Sequence, residues 1–447
     1  MKQDSLWQRF ALYMNPRDNR FEELHRGNIA RNIADDLTAG LIVATVAIPL
    51  AMGFAIASGL RPEQGIIGGA IAGLLGAIFG GSKYLVYGPT AAFIPVIAGV
   101  MSTYDHGFLI LAAMIAGAML LASGFFKLGR IVEKIPHSIV VGFTVGIAII
   151  IAFSQIEQVL GLKKVTGQTL IEQLQYILNN IGSVNVAAIS IAAFTLLFCR
   201  AFERLSNLFP GIVPALIFSY FAGQTFWSDK GLIYIGDQYG SIASNLFAFT
   251  APMIPAKWNS TVAFDLFYYA FTFFIIASIE SLLCGKAADR LASNKGYRFS
   301  PDKELRGLGM INFFAPLFNG FPHTGALGRT ALNIRVKGRS PLAGISKFVF
   351  KILLVLFFAG FIEKIPMACL GGILLYVASG MIKKKEIRGI IERNNYHITL
   401  MCYTIIAVPL LGFMIGVLSA IVLYIIFFRL FEKKKKKTFN HHMRVIK

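Results

Sequence analysis

The sequence predicts an all-α polytopic membrane protein whose fourteen transmembrane segments form two inverted repeats of seven spans. Three observations support this fold class. The composition is strongly apolar with long charge-free blocks, two of the spans are too short to cross a bilayer, and similar motifs recur about 230 residues apart. Together they indicate helices that surround a site inside the membrane.

The composition excludes a soluble protein. Hydrophobic residues make up 55% and aromatic residues 13% of the 447 residues, whereas only 15% are charged. Soluble domains carry about 25% charged residues, so the charge here is too small to cover soluble cores. Blocks without any Lys, Arg, Asp or Glu run from Ala39 to Gly59 and from His397 to Phe428. Disorder, a collagen-like structure and a disulfide scaffold are excluded as well.

Charge-poor blocks divide the chain into fourteen candidate spans. Their predicted ranges are 38–58, 64–81, 89–101, 107–126, 137–159, 184–199, 210–227, 262–285, 304–319, 324–334, 342–362, 367–382, 397–410 and 412–428. If the N-terminus is cytoplasmic, nearly all of the 43 lysines and arginines lie on the cytoplasmic side, as the positive-inside rule requires. The exceptions are Arg61, Lys163, Lys164, Lys230, Lys257 and Lys364 on the outside and Arg329 within a span. We therefore attribute the net charge of +20 to topology and anionic lipid headgroups, not to nucleic-acid binding.

These spans define five segments of a multi-pass protein in the cell (inner) membrane. They are a cytoplasmic N-terminal segment (1–36), a first repeat (37–228), an extracellular or periplasmic linker (229–261), a second repeat (262–431) and a basic cytoplasmic tail (432–447). Both termini are predicted to be cytoplasmic. Lys347 and Lys351 fall in the cytoplasmic half of their span, so we expect their long side chains to reach the cytoplasmic surface.

The internal repeat is visible in two pairs of motifs. Ile131–Pro136 (IVEKIP) recurs as Phe361–Pro366 (FIEKIP), and the Pro-bearing stretch Tyr84–Thr90 corresponds to Phe318–Thr324 at a similar offset. Each half holds seven spans, which is an odd number. The second half must therefore cross the membrane in the opposite sense, as in secondary transporters.

Two unusually short spans indicate where a site lies. Residues 89–101 and 324–334 would reach only about 20 Å and 17 Å as helices, against a hydrocarbon core of roughly 30 Å. Tyr84–Gly88 and Gly320–Pro322 before them are unsuited to a helix, so each short span is predicted to be a half-helix after a strand-like segment. Non-helical backbone at that depth is tolerated only within protein or beside a cavity.

Two half-helix N-termini that face each other would attract an anion, because they present unpaired N–H groups and positive dipole ends. The predicted first turns contain Thr90 and Ala91 in one half and Thr324, Gly325 and Ala326 in the other. Their small side chains would let an oxyanion approach the backbone. The alternative is that small residues here only allow close helix packing, as expected for Gly69-x-x-x-Gly73 and Gly76-x-x-x-Gly80.

Arg329 and Glu280 are the candidate charged groups of this site. A charge within a span is costly and by default marks function. Arg329 could attract the anion, whereas Glu280 in a low-dielectric environment could carry a coupling proton. The alternative is a structural ion pair of Glu280 with Arg329 or Lys286, or extension of Arg329 to the cytoplasm.

The sequence offers nothing for catalysis. It has no metal-spaced His/Cys cluster, no nucleophilic triad in a suitable context and no P-loop motif. The prediction is therefore a protein that is not an enzyme and that needs no cofactor or metal.

At these same residues the sequence resembles the sulfate permease family, from about Asp35 to Phe431. Similar stretches are Asp36–Ala55 and Gly59–Gly65 around the first span and Phe79–Thr90 before the third. The most specific stretch runs from Glu304 to Asn312 and on through Phe321–Thr330, Asn333 and Gly338–Pro341.

The resemblance implies seven plus seven inverted spans, with spans 1–4 and 8–11 as a substrate-carrying core and spans 5–7 and 12–14 as a gate. It implies transport by an elevator-like movement, usually in a dimer. The anion would bind between spans 3 and 10, with Phe54 lining the pocket and with Gly328 beside Arg329 as a further contact. Glu280 falls where relatives place the acidic coupling residue.

Three departures from the family pattern bear on function. Leu50 stands where many members have Gln, and Glu280 with Cys284 replaces the Asp-x-x-x-Thr of sodium-coupled bicarbonate members, which favours protons over sodium. Most members continue into a cytoplasmic STAS domain, whereas this sequence stops shortly after Lys437.

The leading hypothesis is proton-coupled symport of a small anion, with sulfate as the first guess and bicarbonate or a dicarboxylate as further candidates. The alternatives are an uncoupled anion exchanger or channel, sodium-coupled bicarbonate uptake, and, ranked lower, a nucleobase permease. A membrane enzyme or scaffold has no support in the residues.

Overall fold

A computed structural model describes residues 19–129, 136–163, 170–205, 210–228, 230–242, 246–392 and 395–427. Helices of the first half are α1 (Ile29–Ala57), α2 (Pro62–Phe79), α3 (Ile94–Thr103), α4 (His106–Phe125), α5 (His137–Ser154), α6 (Ile156–Val159), α7 (Leu170–Asn179), α8 (Val186–Leu205) and α9 (Ile212–Thr225). Those that follow are α10 (Ile235–Tyr239), α11 (Ser260–Leu291), α12 (Pro301–Phe314), α13 (Leu327–Arg335), α14 (Leu342–Glu363), α15 (Met367–Met381), α16 (Lys384–Ile391), α17 (Asn395–Leu411) and α18 (Phe413–Phe427). Short 3-10 segments include Ala91–Phe93 directly before α3.

A helix of the structure overlaps each of the fourteen predicted spans, but the bounds differ, most clearly for α1, which begins at Ile29, and for α13, which begins at Leu327. Eight of the described helices are long and apolar enough to cross a membrane by length and composition, and four further helices are apolar but shorter. The number of crossings, the inverted orientation of the halves and the cytoplasmic termini stay predictions. Residues 131–135 of the first IVEKIP-type motif and the basic tail at 432–447 lie outside the described residues.

Local sequence explains where several helices begin. The side chain of Asn28 accepts a hydrogen bond from the backbone of Arg31 at 3.1 Å and so caps α1. Asp105 caps α4 in the same way through the N–H of Phe108 at 2.9 Å, and Asn259 caps α11. Pro62 opens α2 at a position where its missing N–H costs nothing.

The structure divides into two compact units. The first comprises residues 1–133 and 153–376, and the second comprises 134–152 and 377–447. This division does not follow the predicted grouping into core and gate spans, because α8 and α9 of the expected gate belong to the first unit.

In the first unit the most extensive packing joins helices from both halves of the sequence. α12 lies against α4, and α14 lies against both α1 and α2. α11 also packs on α4. The centre of this unit therefore consists of helices that the sequence places in corresponding positions of the two repeats.

In the second unit a small apolar cluster of Val141, Val145, Ile390 and Met401 is buried. Close approach of α5 and α17 depends on glycine, because a Cβ on Gly142 would lie 2.7 Å from the Cβ of Thr404. Neither the predicted charged pair nor the strands lie in this unit.

Two short strands pair with each other in the first unit and form what we call the strand crossing. β1 (Tyr87–Gly88) pairs antiparallel with β2 (Thr324–Gly325), with Tyr87 opposite Gly325 and Gly88 opposite Thr324. A strand therefore precedes each short helix, as predicted, but β2 begins at Thr324, beyond the predicted segment Gly320–Pro322. The second helix, however, begins at Leu327. Thr324 and Gly325 belong to the strand, so their predicted place in the first helical turn is wrong.

Candidate functional site

Backbone hydrogen bonds hold the two junctions between strand and helix together. The N–H of Ala326 donates to the carbonyl of Val86 at 3.0 Å, and the N–H of Val86 donates to the hydroxyl of Thr330 at 3.0 Å. The Asn333 side chain donates to the carbonyl of Tyr84 at 3.0 Å. Consecutive turns of α13 thus bind the segment that leads into β1. Thr330 and Asn333 both lie in the stretch that most specifically resembles the sulfate permease family. Nothing in the sequence alone indicated that they bind the segment before β1.

Arg329 is buried at the strand crossing, with 4% of its surface exposed. Its Nη2 donates to the carbonyl of Pro89 at 2.6 Å. The guanidinium occupies the space that a side chain would need at Gly88, since a Cβ there would lie 3.0 Å from Nη1. The guanidinium thus binds the backbone directly after β1, and its role in anion binding stays a prediction.

Glu280 approaches the same point from α11. Its Oε2 accepts a hydrogen bond from the hydroxyl of Thr90 at 2.8 Å. Arg329 and Glu280 therefore bind two consecutive residues of the first junction, Pro89 and Thr90. Within the described residues no ion pair joins Glu280 to Arg329 at 4.0 Å or less, so the alternative of a permanent pair between these two is not observed.

The other predicted site residues divide into two groups. Phe54, Thr90 and Ala91 are buried, Phe54 in α1 and the other two at the first junction. Gly328 is exposed, and a Cβ on it would meet no atom within 4 Å, so open space borders α13 next to Arg329.

Thr324, Gly325 and Ala326 do not offer the free groups that the sequence predicted. The Thr324 hydroxyl donates to the carbonyl of Ala277 in α11 at 3.2 Å, and a Cβ on Gly325 would lie 2.8 Å from the hydroxyl of Ser281. The N–H of Ala326 already binds Val86. The N–H groups without an intrahelical partner are instead those of the first turn after Ala326, from Leu327 to Arg329.

Lys347 and Lys351 do not reach the cytoplasmic surface, and that prediction is wrong. Their exposed fractions are 2% and 1%. The Lys347 Nζ donates to the carbonyl of Tyr87 at 2.7 Å, and the Lys351 Nζ donates to the carbonyl of Gly65 at 3.4 Å. The reason is that α14 packs along α2, where Gly69 and Gly73 leave room for the amino groups.

The glycines of α2 therefore serve side chains more than helix contacts. Gly69 and Gly73 accommodate the two lysines, and a Cβ on Gly76 would lie 2.1 Å from the ring of Tyr87. The predicted role of these glycines in direct helix packing is correct only in that they allow close approach. The matching four-residue spacings of the glycines and the lysines are the signal that could have revealed the contact.

A buried carboxylate, Glu304, anchors β1 from α12. It accepts hydrogen bonds from the Tyr87 hydroxyl at 2.7 Å, from the backbone N–H of Gly81 at 2.8 Å and from the Ser281 hydroxyl. Glu304 is 0% exposed. Because these donors satisfy it, Glu304 fixes the position of Tyr87 and of the helical turn that carries Glu280.

The fold and the site define the class of membrane transporters. Apolar helices surround two paired strands, each followed by a short helix, and one arginine and one carboxylate bind Pro89 and Thr90 beside them. The chain belongs to the sulfate permease family, because the sequence profile of that family matches residues 33–404.

Named relatives and solved structures agree with this assignment. The chain is 36% identical to the putative sulfate transporter YvdB of Bacillus subtilis over 92% of its length and 76% of that protein. It is 28% identical to the bicarbonate transporter BicA of a Picosynechococcus species, over 79% of this chain and 62% of the relative.

Two solved structures share the fold. The transmembrane domain of a cyanobacterial BicA matches with a TM-score of 0.74 at 28% identity, over 88% of this chain and 98% of that one. The SLC26A9 structure matches with a TM-score of 0.78 at 17% identity, over 95% of this chain and 69% of that one. The second likeness concerns the fold alone.

Proposed function

We propose that this chain is a secondary active transporter that takes up a small anion together with a proton, with sulfate as its first substrate. The observation that carries the proposal is the meeting of Arg329 and Glu280 on Pro89 and Thr90, next to the exposed Gly328. The name of YvdB, a putative sulfate transporter, supports the choice of substrate.

In this proposal the arginine and the first N–H groups of α13 attract the anion, and Glu280 carries the proton. A buried arginine is a fixed positive charge that the protein holds at the site without the anion. When Glu280 binds a proton, the negative charge next to Arg329 disappears, so an anion is held more strongly. Release of the proton on the other side then favours release of the anion. Anion and proton are thus coupled through Thr90.

The movement that exposes the site to each side in turn would be an elevator-like shift of the helices around the strand crossing. β1, β2 and α13 are tied to one another and to α11 and α12 by hydrogen bonds, which favours their movement as one body. The working unit would lie in the cell membrane, with lipid around its apolar helices and a second copy as a possible partner.

Uptake of labelled anions into proteoliposomes tests this function. Sulfate, bicarbonate, chloride and a dicarboxylate are each offered with and without an inward proton gradient. We expect the gradient to accelerate sulfate uptake several-fold, and we expect Glu280→Gln to remove this acceleration while sulfate binding persists. The exposed Glu392→Gln serves as the matched control and keeps the wild-type response. Acceleration that survives in Glu280→Gln would exclude Glu280 as the proton carrier.

The second candidate is uncoupled exchange or bicarbonate transport. It is favoured by the 28% identity to the bicarbonate transporter BicA. Uptake that depends on an anion inside the vesicle but not on a proton gradient would support exchange. Acceleration by a sodium gradient would instead support sodium-coupled bicarbonate uptake.

A further inference from the structure

Two lysines of α14 lie in recesses of α2 behind the strand crossing. Lys347 and Lys351 are one helical turn apart, as are Gly73 and Gly69 on the facing helix. A Cβ on Gly73 would lie 2.5 Å from the Lys347 Nζ, and a Cβ on Gly69 would lie 2.8 Å from the Lys351 Nζ. The amino groups therefore occupy space that only glycine leaves open.

Each amino group has far fewer partners than a charged lysine needs. An ammonium has three donors, whereas the structure gives Lys347 one carbonyl acceptor and Lys351 one distant carbonyl. In the described residues no carboxylate forms an ion pair with either lysine within 4.0 Å. Burial of a charge without a counter-charge is costly, so a negative ligand nearby would stabilise the charged form of these groups.

The surrounding charges leave this region positive. Arg329 binds the carbonyl of Pro89, two residues along β1 from the carbonyl that Lys347 binds. His323 faces α2 at Gly68, where a Cβ would lie 2.7 Å from its ring. Among the carboxylates of the described residues, Glu280 binds Thr90 and Glu304 binds the hydroxyl of Tyr87. Glu63 is buried in the first turn of α2, two residues before Gly65, and pairs with Arg61.

Glu280 and Glu304 differ in what they can balance. Glu304 lies at the hydroxyl end of the Tyr87 side chain and accepts hydrogen bonds from three donors. Of these two, Glu280 is therefore the carboxylate left to balance Arg329, Lys347 and Lys351. Three residues of extended chain, at about 3.3 Å each, separate Tyr87 from Thr90, so Lys347 acts on the anion site from about 10 Å.

We propose that Lys347 and Lys351 are specificity-determining residues that set the charge of the anion site, so that it selects a doubly charged oxyanion over a singly charged oxyanion of the same shape. They act through the field across β1 and do not touch the ligand. The physical reason is that the energy of a Coulomb interaction is proportional to the charge of the ligand. Loss of one positive charge therefore costs a dianion twice the binding free energy that it costs a monoanion. The inference rests on the proposed function, because it presupposes that the site binds anions.

The test compares sulfate with perchlorate, since both are tetrahedral oxyanions that differ in charge. The full chain is reconstituted in proteoliposomes, and the affinity of each anion is measured by competition with labelled sulfate. Lys347→Gln keeps a donor for the carbonyl of Tyr87 but removes the charge. We expect the preference for sulfate over perchlorate to fall roughly tenfold in Lys347→Gln and by at least as much in Lys351→Gln, because the Lys351 amino group and the Pro89 ring both border Gly69.

Two controls separate charge from packing. Lys347→Arg keeps the charge and is expected to keep the preference, even if the larger side chain lowers the affinity for both anions equally. Lys364→Gln removes an exposed lysine at the end of the same helix and is expected to behave as wild type. If Lys347→Gln does not fold, as judged by thermal unfolding, Lys351→Gln decides the question alone.

The outcomes are distinct. An unchanged ratio of sulfate to perchlorate affinity in a folded lysine-to-glutamine variant that still binds sulfate overturns the role of the lysines and leaves the proposed function standing. A wild-type protein that binds and transports no anion overturns the proposed function and the inference together.

Discussion

The two junctions between strand and half-helix resemble each other in sequence and differ in what they contribute. At the first junction the hydroxyl of Thr90 donates to Glu280, and the carbonyls of β1 and Pro89 accept from Lys347 and Arg329. At the second junction the hydroxyl of Thr324 donates to a backbone carbonyl of α11. The first junction thus forms hydrogen bonds with charged side chains from three helices, and the second forms a hydrogen bond with an uncharged backbone group.

This difference changes the physical account of anion attraction. Two equivalent helix ends would each supply roughly half a positive charge at the site. In the structure the first junction begins with a 3-10 turn over Ala91–Phe93, and the N–H of Ala326 at the second is used by Val86. Side chains on α11, α13 and α14 therefore supply most of the charge, and the broken backbone supplies the places where they meet.

Loss of Arg329 is expected to have the largest effect on sulfate binding. Arg329→Gln removes a buried positive charge from the site but keeps a donor for the carbonyl of Pro89. We expect sulfate affinity to fall by at least about 30-fold, because truncation of one partner of a buried charge interaction costs about 2–5 kcal/mol. Direct binding of labelled sulfate to the purified protein measures it.

Arg335→Gln is the matched control for that variant, because Arg335 is exposed on the same helix. It is expected to bind sulfate as wild type does. Sulfate affinity that stays within twofold of wild type in folded Arg329→Gln would show that the helix ends alone hold the anion, and the two junctions would then be equivalent after all.

Hydropathy and backbone chemistry predicted the elements of the fold closely. The fourteen charge-poor blocks overlap helices of the structure, because apolar length and capping residues are local properties of the chain. The broken segments before α3 and α13 were also predictable, since Gly-Pro and Phe-Pro sequences oppose helix formation locally.

Side-chain partners could not be predicted in the same way, because they depend on distances between helices. The rule that lysines near a span end extend to the surface assigns Lys347 by depth alone, whereas the glycines of α2 decide its position. Thr90 and Thr324 occupy similar places in the sequence pattern. α11 passes both junctions, and only its position explains why Thr90 binds a carboxylate and Thr324 binds a backbone carbonyl.

Loss of the Thr90 hydroxyl at the first junction is expected to have an intermediate effect on uptake. Thr90→Val keeps the shape of the side chain and removes the donor to Glu280. We expect the proton-driven part of sulfate uptake to fall roughly tenfold, since hydrogen bonds to charged groups contribute about 1.5–3 kcal/mol. Thr90→Ser restores the hydroxyl and should restore the uptake. If the valine and serine variants respond equally to the proton gradient, the bond between Thr90 and Glu280 has no part in coupling.

The smallest effect concerns the matching threonine of the second junction. Thr324→Val removes a hydroxyl that binds the carbonyl of Ala277, which lies within α11. We expect the free energy of unfolding to fall by only about 0.5–1.5 kcal/mol, the contribution of one neutral hydrogen bond, with sulfate affinity and the response to a proton gradient within twofold of wild type. Thermal unfolding in detergent and uptake on the same preparation measure both quantities. A roughly tenfold loss of sulfate affinity in Thr324→Val, without loss of stability, would mean that Thr324 contacts the anion, and the asymmetry between the junctions would have to be abandoned.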